Sequence, residues 1–321
     1  MRAVHVREFG GPEVLVPVKV GDPEAGPGEV VVGLVAADVI FLDTLLRGGM
    51  GGDIFPKNPP YIPGGGGAGT VLSVGDGVDP GWVGRRVVAK AATGYAERIV
   101  ASVDAVVEIP DGVDFPEAAA VLHDGVTAQG ITRLAEIEKG EWVLVAGAAG
   151  GAGSLLVQLA LDAGARVVAA ARGERKLALA RDLGAEATVD YSVEGWVDRV
   201  REVTGGRGAD LVIDGAGAML GQVAFTAAAQ GGRFITYGAA DGGVTEIDPS
   251  LAEERQVRVI SALVGPPDPA VRRERLGRAL AMIAEGRLRP AIGATFPLDR
   301  ARDAHISLAA RNTVGKSLLI I

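Results

Sequence analysis

The chain has 321 residues, 48% of them hydrophobic, and carries 32 Lys and Arg against 40 Asp and Glu for a net charge of −8. This composition is typical of a globular protein with core volume for two domains, and it lacks the basic surface of a nucleic-acid binder. Because there is no cysteine, disulfides, thiolate zinc sites, Fe–S clusters and cysteine nucleophiles are all excluded.

The apolar runs are far shorter than the roughly 18 to 20 residues that span a bilayer. The first residues also lack the apolar stretch of a signal peptide. We therefore expect a cytoplasmic protein with no membrane and no nucleic-acid partner.

The first third of the chain is rich in Gly and Pro and contains short apolar runs. Such runs, bounded by turn residues, predict an all-β, partly closed barrel. The predicted strands are Arg2–Val6, Val14–Val20, Val30–Ala37, Thr70–Val74, Arg86–Ala89 and Tyr95–Val100. Helical spacing over Ile40–Leu46 predicts a short helix beside a cleft.

After Pro116 the pattern becomes strand, glycine turn and helix. The predicted strands, Trp142–Ala146, Arg166–Ala171, Asp210–Asp214, Arg233–Tyr237 and Val257–Ser261, are almost continuously apolar. That pattern indicates a parallel sheet covered by helices on both faces, in the doubly wound arrangement that binds nucleotides. The predicted helices are Ser154–Ala163, Glu174–Leu183, Trp196–Val203, Met219–Ala229 and Ala270–Glu285.

The tail predicts a strand at Ile292–Phe296, a helix near Leu298–Ala309 and a last apolar strand at Ser317–Ile321. We expect this last strand to return to the first domain. The predicted α/β organisation is thus a β-barrel domain of residues 1–122 and 288–321 with a doubly wound domain of residues 123–287.

A glycine-rich turn lies between a predicted buried strand and a predicted helix, in Gly147-Ala-Ala-Gly-Gly-Ala-Gly153. Glycines let the backbone approach a pyrophosphate, which the free N–H groups of a helix N-terminus then bind. The alternative is a turn that only packs helix against strand. The strand–turn–helix context favours a dinucleotide site.

Two cations, Arg172 and Lys176, follow the second predicted strand, where an acid would bind the ribose of NAD. A 2′-phosphate suits these cations, so we expect NADP(H) as the cofactor. The alternative, a solvated helix start, is disfavoured because cations at a helix N-terminus oppose its dipole.

At this point the chain resembles the medium-chain dehydrogenase/reductase superfamily, and within it the zinc-independent quinone oxidoreductase branch. The stretches that carry the resemblance are Phe9–Leu15, Pro27–Val30, Pro63–Gly69, Gly125–Ala128, Ala148–Gly153, Lys176–Ala185, Gly231–Phe234 and Thr313–Lys316. The resemblance implies a GroES-like catalytic domain, a Rossmann cofactor domain and a homodimer. The apolar strand Val257–Val264 is the predicted dimer edge.

The resemblance also implies where NADPH binds. The implied cofactor residues are Thr127, Ala149, Gly150, Gly151, Ala152, Gly153, Arg172, Lys176, Tyr191, Gly238, Ala239, Arg311 and Gly315. The family's zinc ligands correspond to Ile40, Gly65 or Gly66, and His123. Because a catalytic zinc needs three protein donors, we expect no metal.

The chain also departs from the quinone oxidoreductase branch, with Ile40, Leu45 and Gly66 where that branch has asparagine, tyrosine and glutamate. We expect Ile40, Phe41 and Leu45 to line an apolar substrate cleft. Asp43 and Arg47, four residues apart on the short helix, are expected to form a structural ion pair.

His123 and Asp124 are the candidate catalytic residues, because the matching family segment lies beside the nicotinamide. His123 could donate a proton, with Asp124 tuning its pKa. The alternative is a helix start at which Asp124 is the N-cap. His5 and His305 are placed on peripheral elements.

The predicted function is an NADPH-dependent reductase of a quinone or an α,β-unsaturated carbonyl, as in quinone oxidoreductases and enoyl reductases. The alternative is an NADPH-binding protein with little catalysis, serving as a sensor or structural protein. The expected partners are an apolar small-molecule substrate and a second copy of the chain.

Overall fold

A computed structural model describes residues 1–52, 55–239, 242–262 and 267–321. Among these residues the strands are β1 Arg2–Val6, β2 Leu15–Lys19, β3 Glu29–Val39, β4 Gly66–Val74, β5 Arg86–Lys90, β6 Arg98–Ser102, β7 Val106–Glu108, β8 Trp142–Ala146, β9 Arg166–Ala171, β10 Ala187–Asp190, β11 Ala209–Asp214, β12 Ala228–Thr236, β13 Arg258–Ser261, β14 Ile292–Pro297 and β15 Lys316–Ile320. The helices are α1 Phe41–Arg47, α2 Phe115–Ala120, α3 Asp124–Ala135, α4 Gly151–Asp162, α5 Glu174–Asp182, α6 Trp196–Val203, α7 Ala218–Phe225, α8 Pro249–Glu254, α9 Pro269–Ala284 and α10 Ala301–Ala309. No described helix is long and apolar enough to cross a bilayer.

The chain divides into two compact units, Met1–Val126 with Pro267–Ile321, and Thr127–Pro266. Both boundaries differ from the predicted ones, at residues 122/123 and 287/288. The larger difference arises because α9 packs against β7 of the first unit, although it directly follows the last strand of the parallel sheet in sequence.

The first unit is built on the long strand β3, which pairs antiparallel with β4, β6 and β15. The sheet order is β14-β15-β3-β4-β5-β7, and β1 pairs separately with β2. Because β15 pairs with β3, the C-terminal strand does return to the first unit, as predicted. The core of this unit collects valines and alanines from β3, β4 and β5 around the fully buried Tyr95.

The second unit is a six-stranded parallel sheet in the order β10-β9-β8-β11-β12-β13. Numbered within the unit this is the order 3-2-1-4-5-6, the Rossmann arrangement. In this order the chain reverses direction across the sheet between β8 and β11, so the carboxyl end of β8 is where a dinucleotide binds in such folds. The doubly wound prediction is confirmed.

Several predicted elements differ from the observed ones. The helix predicted over Met219–Ala229 ends at Phe225, because Ala228 already pairs with Ala209 in the sheet. The short strands β7 and β10 and the helices α2, α3 and α8 were not predicted. The predicted dimer edge, Val257–Val264, is described only through residue 262; β13 is the last strand of the sheet, and residues 263–264 lie outside the described residues.

Candidate active site

The glycine-rich turn connects β8 to α4 by a very close approach of backbone to backbone. Gly147 has φ +82°, a conformation that side chains with a Cβ rarely adopt. A Cβ on Gly153 would lie 2.1 Å from the carbonyl oxygen of Gly147. Only glycine at position 153 therefore allows the helix to begin this close to the end of the strand.

The first turn of α4 presents backbone donors at this edge of the sheet, and the described residues offer them no acceptor. The Ser154 N–H donates to the Gly150 carbonyl at 2.9 Å and is the first helical hydrogen bond. The N–H groups of Gly151, Ala152 and Gly153 precede it and have no acceptor within the helix. Together with the helix dipole, these donors form a site for a phosphate group. The predicted residues Ala149 to Gly153 thus lie together.

The two predicted cations follow the carboxyl end of the neighbouring strand, β9. Arg172 directly follows β9 and is exposed, and Lys176 lies in the first turn of α5. Asp190, at the end of β10, accepts the Gly173 N–H at 2.9 Å. Burial raises the pKa of Asp190, but hydrogen bonds from Ser192 and Gly173 and the charge of Arg172 outweigh it, so the pKa is lowered.

Tyr191 and Gly238 lie at this same edge of the sheet. The Tyr191 N–H donates to the carbonyl at the end of β9, on Ala171, at 3.3 Å. Gly238, with Ala239, follows β12, and a Cβ on Gly238 would lie 2.0 Å from the Gly215 oxygen. The Gly215 N–H in turn donates to the carbonyl of Ala146, the last residue of β8, at 3.0 Å. The second unit therefore brings most of the predicted cofactor residues to one edge.

Three of the predicted cofactor residues lie elsewhere. Thr127 is exposed on α3. Arg311, with φ +56°, and Gly315, with φ +82°, belong to the first unit. Their predicted contacts with the cofactor stay predictions.

In the first unit, four charged or ionisable side chains gather from separate parts of the sequence. His123 Nδ1 lies 2.5 Å from Oδ2 of Asp38, whose side chain is fully buried at the end of β3. Lys316, at the start of β15, contacts Asp38 Oδ1 and lies 2.8 Å from Asp124 Oδ2. The two proposed catalytic residues thus belong to one network with two residues that the sequence analysis missed.

The two carboxyl groups of this network have opposite pKa shifts. Burial raises the pKa of Asp38, but the charges of Lys316 and His123 outweigh it, and the pKa is lowered. Burial also raises the pKa of Asp124, and there the attraction to Lys316 does not offset it. Lys316 has a raised pKa, because the two carboxylates outweigh its own burial. Asp38 is therefore the ionised partner of both Lys316 and His123.

The partner of His123 differs from the predicted one. Asp124 was expected to tune His123, but Asp38 holds its Nδ1 and Asp124 binds Lys316. The reason is that the start of α3 places the Asp124 carboxyl beside β15. With Nδ1 bound to Asp38, the other ring nitrogen, Nε2, is left to carry a proton.

The short helix α1 holds the predicted cleft residues, of which Phe41 and Leu45 are half-buried, as is Ile40 just before the helix. The Asp43 to Arg47 ion pair is not formed. Asp43 instead accepts the Ile40 N–H at 3.1 Å and the Tyr95 hydroxyl at 3.1 Å. That an apolar substrate lies against Ile40, Phe41 and Leu45 stays a prediction.

The donor set does not fit a catalytic zinc. The family's ligand positions hold an aliphatic side chain at Ile40, no side chain at Gly65 or Gly66, and one imidazole at His123. The Nδ1 of that imidazole is already bound to Asp38. One remaining nitrogen falls short of the three protein donors of a catalytic zinc site.

Comparison with known proteins identifies both units. Residues 26–111 match the alcohol dehydrogenase GroES-like domain, and residues 151–285 match the zinc-binding dehydrogenase family. The chain is 34% identical to a quinone oxidoreductase of Pseudomonas aeruginosa, with 99% of both chains covered, and 30% identical to a 2-haloacrylate reductase of a Burkholderia species, with 99% of this chain and 98% of that protein covered.

A solved mycobacterial structure, complexed with NADPH, matches 100% of both chains with 33% identity and a TM-score of 0.91. The GroES-like fold of the first unit and the Rossmann sheet of the second agree with these relatives. The chain belongs to the medium-chain dehydrogenase/reductase superfamily, in its zinc-independent quinone oxidoreductase branch.

Proposed function

We propose that this protein is an NADPH-dependent oxidoreductase that reduces a conjugated carbonyl compound, a quinone or an α,β-unsaturated carbonyl. The observation that carries the proposal is the anion site at the start of α4, with Arg172 at the neighbouring strand end. The relatives support it: one is named a quinone oxidoreductase and one a 2-haloacrylate reductase, and a mycobacterial neighbour was solved with NADPH.

The second unit holds the phosphates in this proposal. The N–H groups of Gly151 to Gly153 bind the pyrophosphate, and Arg172 and Lys176 bind the 2′-phosphate. Arginine suits that phosphate because its planar guanidinium donates two parallel hydrogen bonds and keeps its charge. When bound, NADPH supplies the hydride for the reaction.

The first unit supplies the proton. His123 donates its Nδ1 hydrogen to Asp38 at 2.5 Å, which fixes the ring and leaves Nε2 to exchange a proton with a bound molecule or with solvent. Asp38 is ionised, because the charges of Lys316 and His123 lower its pKa in spite of its burial. Lys316 keeps Asp38 ionised in its buried position. In this scheme His123 is the acid, and Asp38 and Lys316 position it.

Turnover with paired acceptors tests the proposal. NADPH oxidation is followed with a quinone and with an α,β-unsaturated ketone, and reduction of at least one is expected. His123→Ala should lower kcat by about 10²-fold or more, the contribution typical of a general acid. NADPH binding in calorimetry without oxidation by either acceptor would instead favour a non-catalytic NADPH-binding protein, which the names of the relatives do not favour.

A cytoplasmic location and a homodimer complete the proposal. The resemblance to the family supports the homodimer, and β13, which ends the parallel sheet among the described strands, is the edge proposed for it. The short apolar runs of the sequence support the location.

A further inference from the structure

A lysine that none of the above steps uses lies near Nε2 of His123. Lys90 is the last residue of β5, and Gly66 pairs with it across the sheet. A Cβ built on Gly65 would lie 2.8 Å from His123 Nε2 and 3.1 Å from Lys90 Nζ. The absence of a side chain at Gly65 therefore lets both nitrogens pack directly against its backbone, close to each other.

The charge of Lys90 has no carboxylate partner among the described residues. Its ammonium donates to the Ala91 carbonyl at 2.8 Å. An ammonium has three hydrogens, so two remain for another acceptor. The described residues place no carboxylate oxygen within salt-bridge distance of it, although its side chain is half-buried. A cation in this state is costly unless an anion joins it.

The wider surroundings of Lys90 are also cationic. Burial lowers the pKa of Lys90, and the positive charges of Arg272 and Lys57 lower it further, while Asp43 and Asp38 act in the opposite direction. Asp38 is occupied by Lys316 and His123, and the pKa of Asp43 is raised by its burial. The two nearby carboxyl groups, those of Asp38 and Asp43, therefore do not compensate the charge of Lys90.

We propose that Lys90 and His123 Nε2 bind the carboxylate of the hydride acceptor, so that the substrate is an α,β-unsaturated carboxylate. This inference rests on the proposed function, whose acceptor class it narrows. The chemistry favours a carboxylate over other anions, because the group must be conjugated to the carbon–carbon double bond that is reduced. A neutral quinone or ketone would leave the charge of Lys90 without a carboxylate partner within the part of the chain that the structure describes.

The reaction with such an acceptor balances without a further reagent. The hydride forms a C–H bond at the β-carbon, and the π electrons move towards the carboxylate, whose added charge Lys90 stabilises. The hydrogen on His123 Nε2 passes to the carboxylate oxygen that it contacts, and the α-carbon takes a proton from solvent as that oxygen releases its own to solvent. The product is the saturated carboxylate, and solvent returns the proton to His123.

Binding is tested by NMR, for which the chain is well suited because it contains three histidines. The Cε1 signals are followed while 2-butenoate is added, and 2-butenamide, its uncharged counterpart of similar size, is added in a parallel titration. The His123 signal should shift and saturate with butenoate, and at least about tenfold more weakly with butenamide. His305, which is fully buried, serves as the internal reference for an intact first unit.

Variants assign the effect to Lys90. Lys90→Met should weaken butenoate binding at least about tenfold, Lys90→Arg should retain much of it, and the exposed Lys19→Met on β2 should not change it. Equal affinity for the acid and the amide, or unchanged butenoate binding in Lys90→Met with the His305 signal in place, would overturn the inference.

Kinetics separate this inference from the proposed function. With NADPH, the ratio of kcat/KM for butenoate to that for butenamide should exceed about tenfold and should fall towards one in Lys90→Met. Turnover of quinones and of the amide, with no preference for the acid, would refute the carboxylate and leave the proposed function in place. Butenoate binding that depends on Lys90, without NADPH oxidation by any acceptor, would support the carboxylate site and refute the proposed function.

Discussion

His305 makes the first unit sensitive to acid. Expected on a peripheral element, it is fully buried on α10 instead. Arg47 Nη1 lies 3.0 Å from its Nδ1, and the Tyr95 hydroxyl lies 2.9 Å from its Nε2. Because a guanidinium can only donate, Nδ1 is the acceptor, and Nε2 carries the hydrogen that is donated to Tyr95. The ring is therefore held in its neutral form.

The cost of protonating this ring follows from its surroundings. Burial, and then the charge of Arg47, lower the pKa of His305 from 6.5 to about 3. The unfolded chain takes up the proton below pH 6.5 while the folded chain does not, so the contribution to stability is complete above pH 6.5. It is lost as the pH falls from there towards about 3. At about 1.4 kcal/mol per pH unit, the loss between pH 6.5 and pH 5 is about 2 kcal/mol.

Hydrogen exchange read by mass spectrometry measures this effect on peptides of β3 and α10, after correction for the intrinsic exchange rate. The free energy of opening should fall by about 2 kcal/mol more in the wild type than in His305→Gln between pH 6.5 and pH 5. His5→Gln, on β1, is the matched control and should behave like the wild type. Equal pH dependence in the wild type and His305→Gln, or an NMR titration of His305 near pH 6.5, would refute the reasoning.

Three further predictions concern the cofactor, the proton relay and the assembly. Arg172→Ala should raise the Kd for NADPH at least about tenfold in calorimetry and leave that for NADH nearly unchanged, since a charge-assisted hydrogen bond to the 2′-phosphate is lost; equal changes for both would contradict the assignment. Asp38→Asn should shift the pH profile of kcat by releasing His123, and should destabilise the first unit by less than the roughly 3 to 5 kcal/mol of an unpaired buried charge, because Asp124 still contacts Lys316; an unchanged profile would exclude the relay. Val259→Lys, at the edge strand β13, should convert a dimer to a monomer in sedimentation velocity, and a wild-type monomer at micromolar concentration would refute the dimer.

Much of the fold could be predicted because its signals are local. Both β8 and β9 occupy the predicted residues, since each is an almost continuous apolar run. A glycine, Gly147, follows the first run, and a charged residue, Arg172, follows the second. The position of β10 could not be read in the same way, because only Val189 of its residues is buried. The glycine turn was recognisable for the same local reason: its residues are contiguous, and the strand before it and the helix after it are regular.

The charged network could not be predicted in this way, because its members are far apart in sequence and meet only in the folded unit. The antiparallel register of β3 and β15, in which Ser317 pairs with Val39 and Leu318 with Asp38, brings Lys316 close to Asp38. A signal did exist in the sequence, since Asp38 interrupts the apolar run of β3, and Lys316 precedes that of β15. Each charge alone is indistinguishable from a strand end at the surface.

The composition of this network argues for a role in proton transfer rather than in stability. One buried lysine needs one carboxylate, whereas Lys316 has two, and Asp38 is shared with His123. Buried ion pairs seldom stabilise a fold more than apolar residues of the same volume would, because desolvation cancels the attraction. Two carboxyl groups whose pKa values are shifted in opposite directions, as in Asp38 and Asp124, are instead typical of sites that hold and release protons. The carboxyl of Asp124 is linked to the ring of His123 through Lys316 and then Asp38, so a change of charge on Asp124 acts on His123 through these two residues.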